Sequence, residues 1–132
     1  MSAAGALQKA VFIKLAGDAA LTALIGPDGV HDHLQTRSHR PCIVIAGIDS
    51  RDASTASEAG EEHLVTLDVR TGEGGSRVVQ EIAARVRMLL DDVPLVLAGF
   101  VLVSLLHRRT RIGRDAKAKG HVAEIEFRAV TE

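Results

Sequence analysis

Glu61-Glu62-His63-Leu64-Val65-Thr66-Leu67-Asp68-Val69-Arg70 alternates apolar and polar side chains. Beyond Gly72-Glu73-Gly74-Gly75 it gives way to Ser76-Arg77-Val78-Val79-Gln80-Glu81-Ile82-Ala83-Ala84-Arg85-Val86-Arg87-Met88-Leu89-Leu90. The hydrophobic period changes from 2 to 3.6 across that glycine-rich link. In the first half His63, Val65, Leu67 and Val69 share one face, the mark of a strand buried on one side. In the second, Val78, Val79, Ile82, Ala83, Val86, Leu89 and Leu90 fall within about 140° of the helical wheel. Arg77, Gln80, Glu81 and Arg87 lie opposite, and Glu81 stands four residues before Arg85, the favourable order for an ion pair. Ser76 is placed to cap the helix, and Asp91-Asp92 with Pro94 closes it. A one-sided strand feeding a one-sided helix predicts a sheet with helices on a single face.

The flanking sequence extends that plan. Leu7, Val11 and Leu15 recur every four residues and predict a helix over 3–16, with Ile13 off its apolar stripe. Gly17-Asp18 breaks it, Asp18 caps a short second helix carrying Leu21, Leu24 and Ile25, and Gly26-Pro27 stops that one. Strands are expected at Val30 to Leu34 and at Cys42-Ile43-Val44-Ile45-Ala46, the latter a β-branched run covered on both faces. Residues 49–60 hold nothing more apolar than alanine and are expected as a long loop. After the main helix come a short strand at 95–98, a long one from Phe100 to Ile112, a hairpin loop at 113–120 and a last strand to Val130. In that last strand Ala123, Ile125, Phe127 and Ala129 face inward. The expected fold is α+β: one domain over 1–132, with a largely antiparallel, mixed β-sheet and helices packed on one face.

Composition bounds the function. The chain has 132 residues, 46% hydrophobic and 25% charged, so a sizeable core is possible and disorder is excluded. Only Phe12, Phe100 and Phe127 are aromatic, which excludes a base-stacking platform for single-stranded nucleic acid. Sixteen basic against seventeen acidic residues give a net charge of −1 and no general attraction to DNA or anionic lipid. The single cysteine forms no internal disulfide and suits a reducing compartment. No signal peptide is evident at the start, and the longest apolar stretch, Val93 to Leu106, is broken by Pro94, Gly99 and Ser104. A soluble protein made inside the cell, without membrane association, is expected.

Motifs for chemistry are weak. Gly72-Glu73-Gly74-Gly75-Ser76 lacks both the third glycine of a dinucleotide fingerprint and the lysine of a P-loop. His31, His33, His39 and Cys42 offer zinc-ligating atoms, but their spacing matches no common zinc pattern. No nucleophile elbow or paired acid and base is found. No catalytic, cofactor-binding or metal-binding residue is assigned. The rival reading from another class is a small metal- or ligand-binding enzyme using the His31/His33 strand.

Charge distribution says more. Residues 108–119 carry six basic side chains against Asp115, and residues 49–73 carry seven carboxylates against Arg51 and Arg70. A nearly neutral chain thus has a basic hairpin and an acidic segment, as suits head-to-tail contact between copies. Strands apolar on both faces, Ile43 to Ile45 and Val101 to Leu106, also exceed what three helices can cover. A partner surface is expected there.

Many short stretches, in order, resemble the tail completion (tail terminator) proteins of long-tailed bacteriophages and phage-like gene transfer agents. They are Ala6 to Phe12, Asp18 to Gly26, Val30-His31-Asp32-His33, Pro41 to Ile45, Gly60-Glu61-Glu62-His63, the helix from Ser76, Leu97-Ala98-Gly99, Leu102 to Leu105, Arg114-Asp115 and Phe127 to Glu132. Members commonly carry aromatics near His31 and Cys42 and a Trp near Arg70, all lacking here. The resemblance implies a non-enzymatic subunit, made in the bacterial cytoplasm, of a hexameric ring that caps the tail tube. Such a ring meets the tail tube protein and the head-tail connector, and DNA passes through its lumen without sequence-specific binding. A head-tail stopper is the neighbouring alternative. On this reading Arg108, Arg109, Arg111, Asp52, Glu58 and Glu61 are expected at a subunit or tube interface.

Overall fold

A computed structural model describes residues 2–32, 41–72, 76–115 and 120–132. The elements run α1 (Ala3–Ala16), α2 (Ala19–Ile25), β1 (Val30–His31), β2 (Cys42–Asp52), β3 (Glu61–Arg70), α3 (Ser76–Leu90), β4 (Leu102–Arg114) and β5 (His121–Thr131). The strands form one sheet in the order β1-β2-β3-β5-β4. β1 is parallel to β2 and every other neighbouring pair is antiparallel. The fold is the expected α+β single domain.

All three helices cover one face. Val79, Ile82, Ala83, Val86 and Leu90 of α3 are buried against β3, β4 and β5, where Val65, Leu67, Ile125 and Phe127 face them. Phe127 is fully buried and fills the space that smaller aliphatics cannot. α1 buries Leu7, Val11 and Leu15 and turns Ile13 to solvent. Ser2 caps α1 by accepting from the Gly5 amide at 3.0 Å.

Asp18 holds the helical layer together. One carboxylate oxygen caps α2, accepting from the Leu21 amide at 2.9 Å. The same carboxylate receives Arg85 Nε at 2.9 Å and Nη2 at 2.7 Å, a two-pronged bond from the middle of α3. Arg85 therefore pairs across the fold and not with Glu81, as the helical spacing suggests; Glu81 takes Arg77 at 3.3 Å. The α2–α3 packing puts Asp18 within reach, and the long arginine stem chooses the two-pronged partner. The Arg85 hydrogen bonds hold the Asp18 pKa down at about 2.

Several elements differ in extent from the sequence expectation. β2 runs on through Asp52, because residues 49–52 pair with Leu64 to Glu61 of β3. Their polar side chains hide a strand on a solvated face, and the connecting loop is only 53–60. β4 likewise continues through Gly113 and Arg114, and of the expected loop 113–120 the residues 116–119 lie outside the described set. Residues 95–98 form no strand, only an isolated bridge between Leu97 and Phe100 beside the turn at Gly99. β1 is assigned only to Val30–His31, with His33 and Leu34 outside the described residues. Ser76 is the first helical residue, and the cap position before it is likewise outside them.

Gly120 shows why one turn is sequence-specific. Its φ is 145°, and a Cβ there would collide with the Thr71 carbonyl oxygen where β3 and β5 meet. Two outcomes follow from the packing. Phe127→Ala should cost about 3–5 kcal/mol, read as a lower urea midpoint at unchanged m-value. Asp18→Ala should cost about 1–2 kcal/mol from the cap alone. Its effect should shrink as pH falls from about 4 toward 2, since the Asp18 contribution is present above the unfolded carboxylate pKa and lost through the folded one.

Candidate functional site

The sheet face away from the helices is a lattice of paired charges. Glu62 on β3 accepts Arg51 Nη2 of β2 and Arg128 Nη2 of β5, each at 2.9 Å, which ties three strands together. These bonds, Arg128's first, lower the Glu62 pKa. Arg108 pairs with Glu126 at 3.2 Å. Arg70 bridges Asp115 at 2.9 Å and Asp68 at 3.4 Å. Burial pushes the Asp68 carboxyl up despite Arg70.

This bears on the expectation that two apolar strands need cover from outside. On the outer face β3 and β5 present mainly charged and polar side chains, together with Leu64, Val122 and Val130. Cys42 and Val44 of β2 are buried on that side within the chain, and burial raises the Cys42 thiol pKa. Val101, Val103 and Leu106 of the second stretch are exposed, as are Val96 beside it and Phe12, Ile13, Val78 and Met88 on the helices.

The six residues expected at an interface fall into two groups. Asp52 and Glu61 face one another across the β2–β3 hairpin, with exposed Glu58 in its loop. Asp52 accepts the Ser54 amide at 2.8 Å, and its hydrogen bonds to Ser54 lower its pKa. Glu61 sits beside Thr131 at the same end of the sheet. Arg109 and Arg111 are exposed on β4 opposite Glu126 and Glu124, toward the other end. At about 3.4 Å per residue, Arg111 lies some 24 Å along the strands from Glu61. Arg108 is half neutralised within the chain, by Glu126. The structure thus separates the acidic and basic groups to opposite ends of the strands, which one-dimensional charge counting does not reveal.

A buried polar link lies beneath the acidic end. Fully buried His63 has Ser50 Oγ 2.6 Å from Nδ1 and Thr131 Oγ1 3.0 Å from Nε2. Both ring nitrogens are satisfied, so β2, β3 and β5 are pinned at that end. Sequence alternation places His63 inward, but only the register shows its two hydroxyl partners. Desolvation lowers the His63 pKa against a smaller opposite pull from Glu61.

For metal chemistry, His31 lies on β1, whereas His33 and His39 lie outside the described residues. Among the described residues no group of three or more His, Cys, Asp or Glu side chains could hold a metal ion. Among the described residues no helix is long and apolar enough to cross a membrane.

With the fold and its charge layout established, the comparisons decide the family. The sequence profile of the family described as Tail completion protein gp17 matches residues 9–132. The chain belongs to this family. A chain in a solved structure titled "Virion of native gene transfer agent (GTA) particle" is similar over 99% of this chain and 98% of its own length. That match has a TM-score of 0.90 and 33% identity. No curated protein sequence matches significantly. As a tail completion protein, the chain is a structural component of a phage or phage-like tail.

The histidines give a pH outcome. His63 and His107 both have lowered pKa values, His107 through burial and the nearby Arg87. Below the ordinary histidine value of 6.5, the unfolded chain binds protons that the folded one refuses, so stability is lost as pH falls. The melting temperature should drop between pH 7.5 and 5.5, and His63→Gln should drop less. An identical pH slope in that variant would remove His63 as the responsible group.

Proposed function

We propose that this protein is the subunit of a hexameric ring that ends the tail tube and joins it to the head-tail connector. The full-length likeness to a chain of a gene transfer agent virion, at a level where sequence as well as fold is shared, carries this reading. The subunit's polarity supports it. A ring between two different partners needs two different ends, and here one end of the strands is acidic through Asp52, Glu58 and Glu61. The other is basic through Arg109 and Arg111, with Arg108 between them on the outer face. In this reading one end meets the tail tube protein and the other the connector, with charge steering each docking. DNA passes through the lumen without sequence-specific contact. The role is positional and asks for no catalytic group or cofactor.

Replacing both Arg109 and Arg111 with Gln removes charge without setting glutamates opposite Glu124 and Glu126. The doubly substituted subunit should stay folded, within about 1 kcal/mol of wild type. Particles carrying it should show tailless heads or tails of irregular length by electron microscopy. Normal tails would overturn the interface role of these arginines.

A further inference from the structure

The acidic end of the sheet depends on a buried ring. His63 is fully buried, with Ser50 Oγ of β2 2.6 Å from Nδ1 and Thr131 Oγ1 of β5 3.0 Å from Nε2. Every residue from Asp49 to Ala59 is exposed, and the buried apolar residues of β3 begin only at Val65. The end of β2 and the hairpin loop therefore lie beyond the apolar core. Apart from His63, they are held by Arg51 and Arg128 on Glu62 and by backbone bonds such as Ala53 to Gly60 at 2.9 Å. Arg51 is 75% exposed, and exposed pairs contribute little. A segment with so few buried contacts opens at a lower free energy than the core.

We infer that His63 is an acid-sensitive latch: neutral, it ties β2, β3 and β5 together, and on taking a second ring proton it lets this end open while the helix-covered core stays closed. The chemistry is a matter of donors. In the neutral ring one nitrogen donates and the other accepts, and a hydroxyl can meet either. The charged ring has two donors and no acceptor, so the hydroxyl that gave its hydrogen must turn it elsewhere. The charge is then held away from water unless the strands part. Its surroundings compensate little. Glu61 on β3 is the charged neighbour that pulls the ring toward protonation, and burial outweighs it. On β2 the charged residues are Asp49, Arg51 and Asp52, all exposed, with Arg51 bound to Glu62 and Asp52 to the Ser54 amide. Asp52, Glu61 and the terminal Glu132 line a recess of about 250 Å³ together with Thr131, where Ala3 of α1 and Phe100 add no charge. Opening would bring the charged ring to water and to these carboxylates, which favours the open form in acid. The latch acts within one chain and does not depend on what meets this end.

Hydrogen–deuterium exchange of the full chain at pH 7.5 and 5.5, corrected for intrinsic rates and repeated in dilute urea, tests the latch. Protection over 49–64 and 129–132 should fall several-fold in acid, by no more than about tenfold per pH unit because one proton is taken up. That exchange should respond little to urea, the mark of local opening, whereas the amides of α3 should follow the steeper urea dependence of global unfolding. His63→Gln should lose the acid response at this end, and His107→Gln should keep it. Protection that ignores pH, a urea dependence equal to that of α3, or an acid response surviving in His63→Gln would each overturn the latch. Imidazole NMR of the wild type decides the matter even where the variant fails to fold. The His63 ring should stay neutral in the closed protein below the ordinary value of 6.5. A ring that charges at that value with 49–64 still protected would overturn the inference.

Discussion

A single layer of helices over a five-stranded sheet is the constraint from which the rest of this structure follows. α3 buries one stripe, and that stripe meets the inward side chains of β3 and β5 around Phe127. Nothing in the helical layer reaches the reverse side of those strands. Their outward residues must therefore tolerate water, and most of them are polar or charged. Left as like charges, such a face would push the strands apart; alternated in sign, it draws them together. Glu62 between Arg51 and Arg128 performs that service across three strands at once. Exposed pairs of this kind are individually weak. Their value lies in register, since a one-residue slip would turn every charge onto the helical side.

The same constraint governs where contacts with other chains can form. With one face under helices and the other neutralised internally, ends and edges remain. Asp52, Glu58 and Glu61 lie toward one end of the strands and Arg109 and Arg111 toward the other, and exposed apolar side chains such as Val96, Val101 and Val103 lie beside β4. His63, locked between Ser50 and Thr131, stiffens the acidic end, so the hairpin beyond it projects from a fixed base.

Much of the fold is legible in the residues themselves. The strand Glu61–Arg70 and the helix Ser76–Leu90 are readable because one buried face imposes a period, and the period is local. Asp18 is readable as a cap because capping depends on three or four consecutive residues. Residues 49–52 are not readable as strand, because their side chains face water and the pairing that makes them strand is supplied by 61–64. Arg85 misleads for a related reason: Glu81 is near in sequence, but Asp18 is near in space. The six charged residues expected at an interface are visible as charge, whereas their separation along the strands depends on how the strands are registered.

The amino-acid sequence by itself determined which faces are buried, where the helices begin and end, and which family the chain resembles. These depend on local periodicity and on the order of short motifs. Tertiary structure alone decided which charges cancel inside the chain and which remain for partners. It also decided that Ile43 to Ile45 are covered within the chain whereas Val101, Val103 and Leu106 are left exposed. Coulomb pairing and burial are set by distances across strands, and those distances exist only once the strands have found their neighbours.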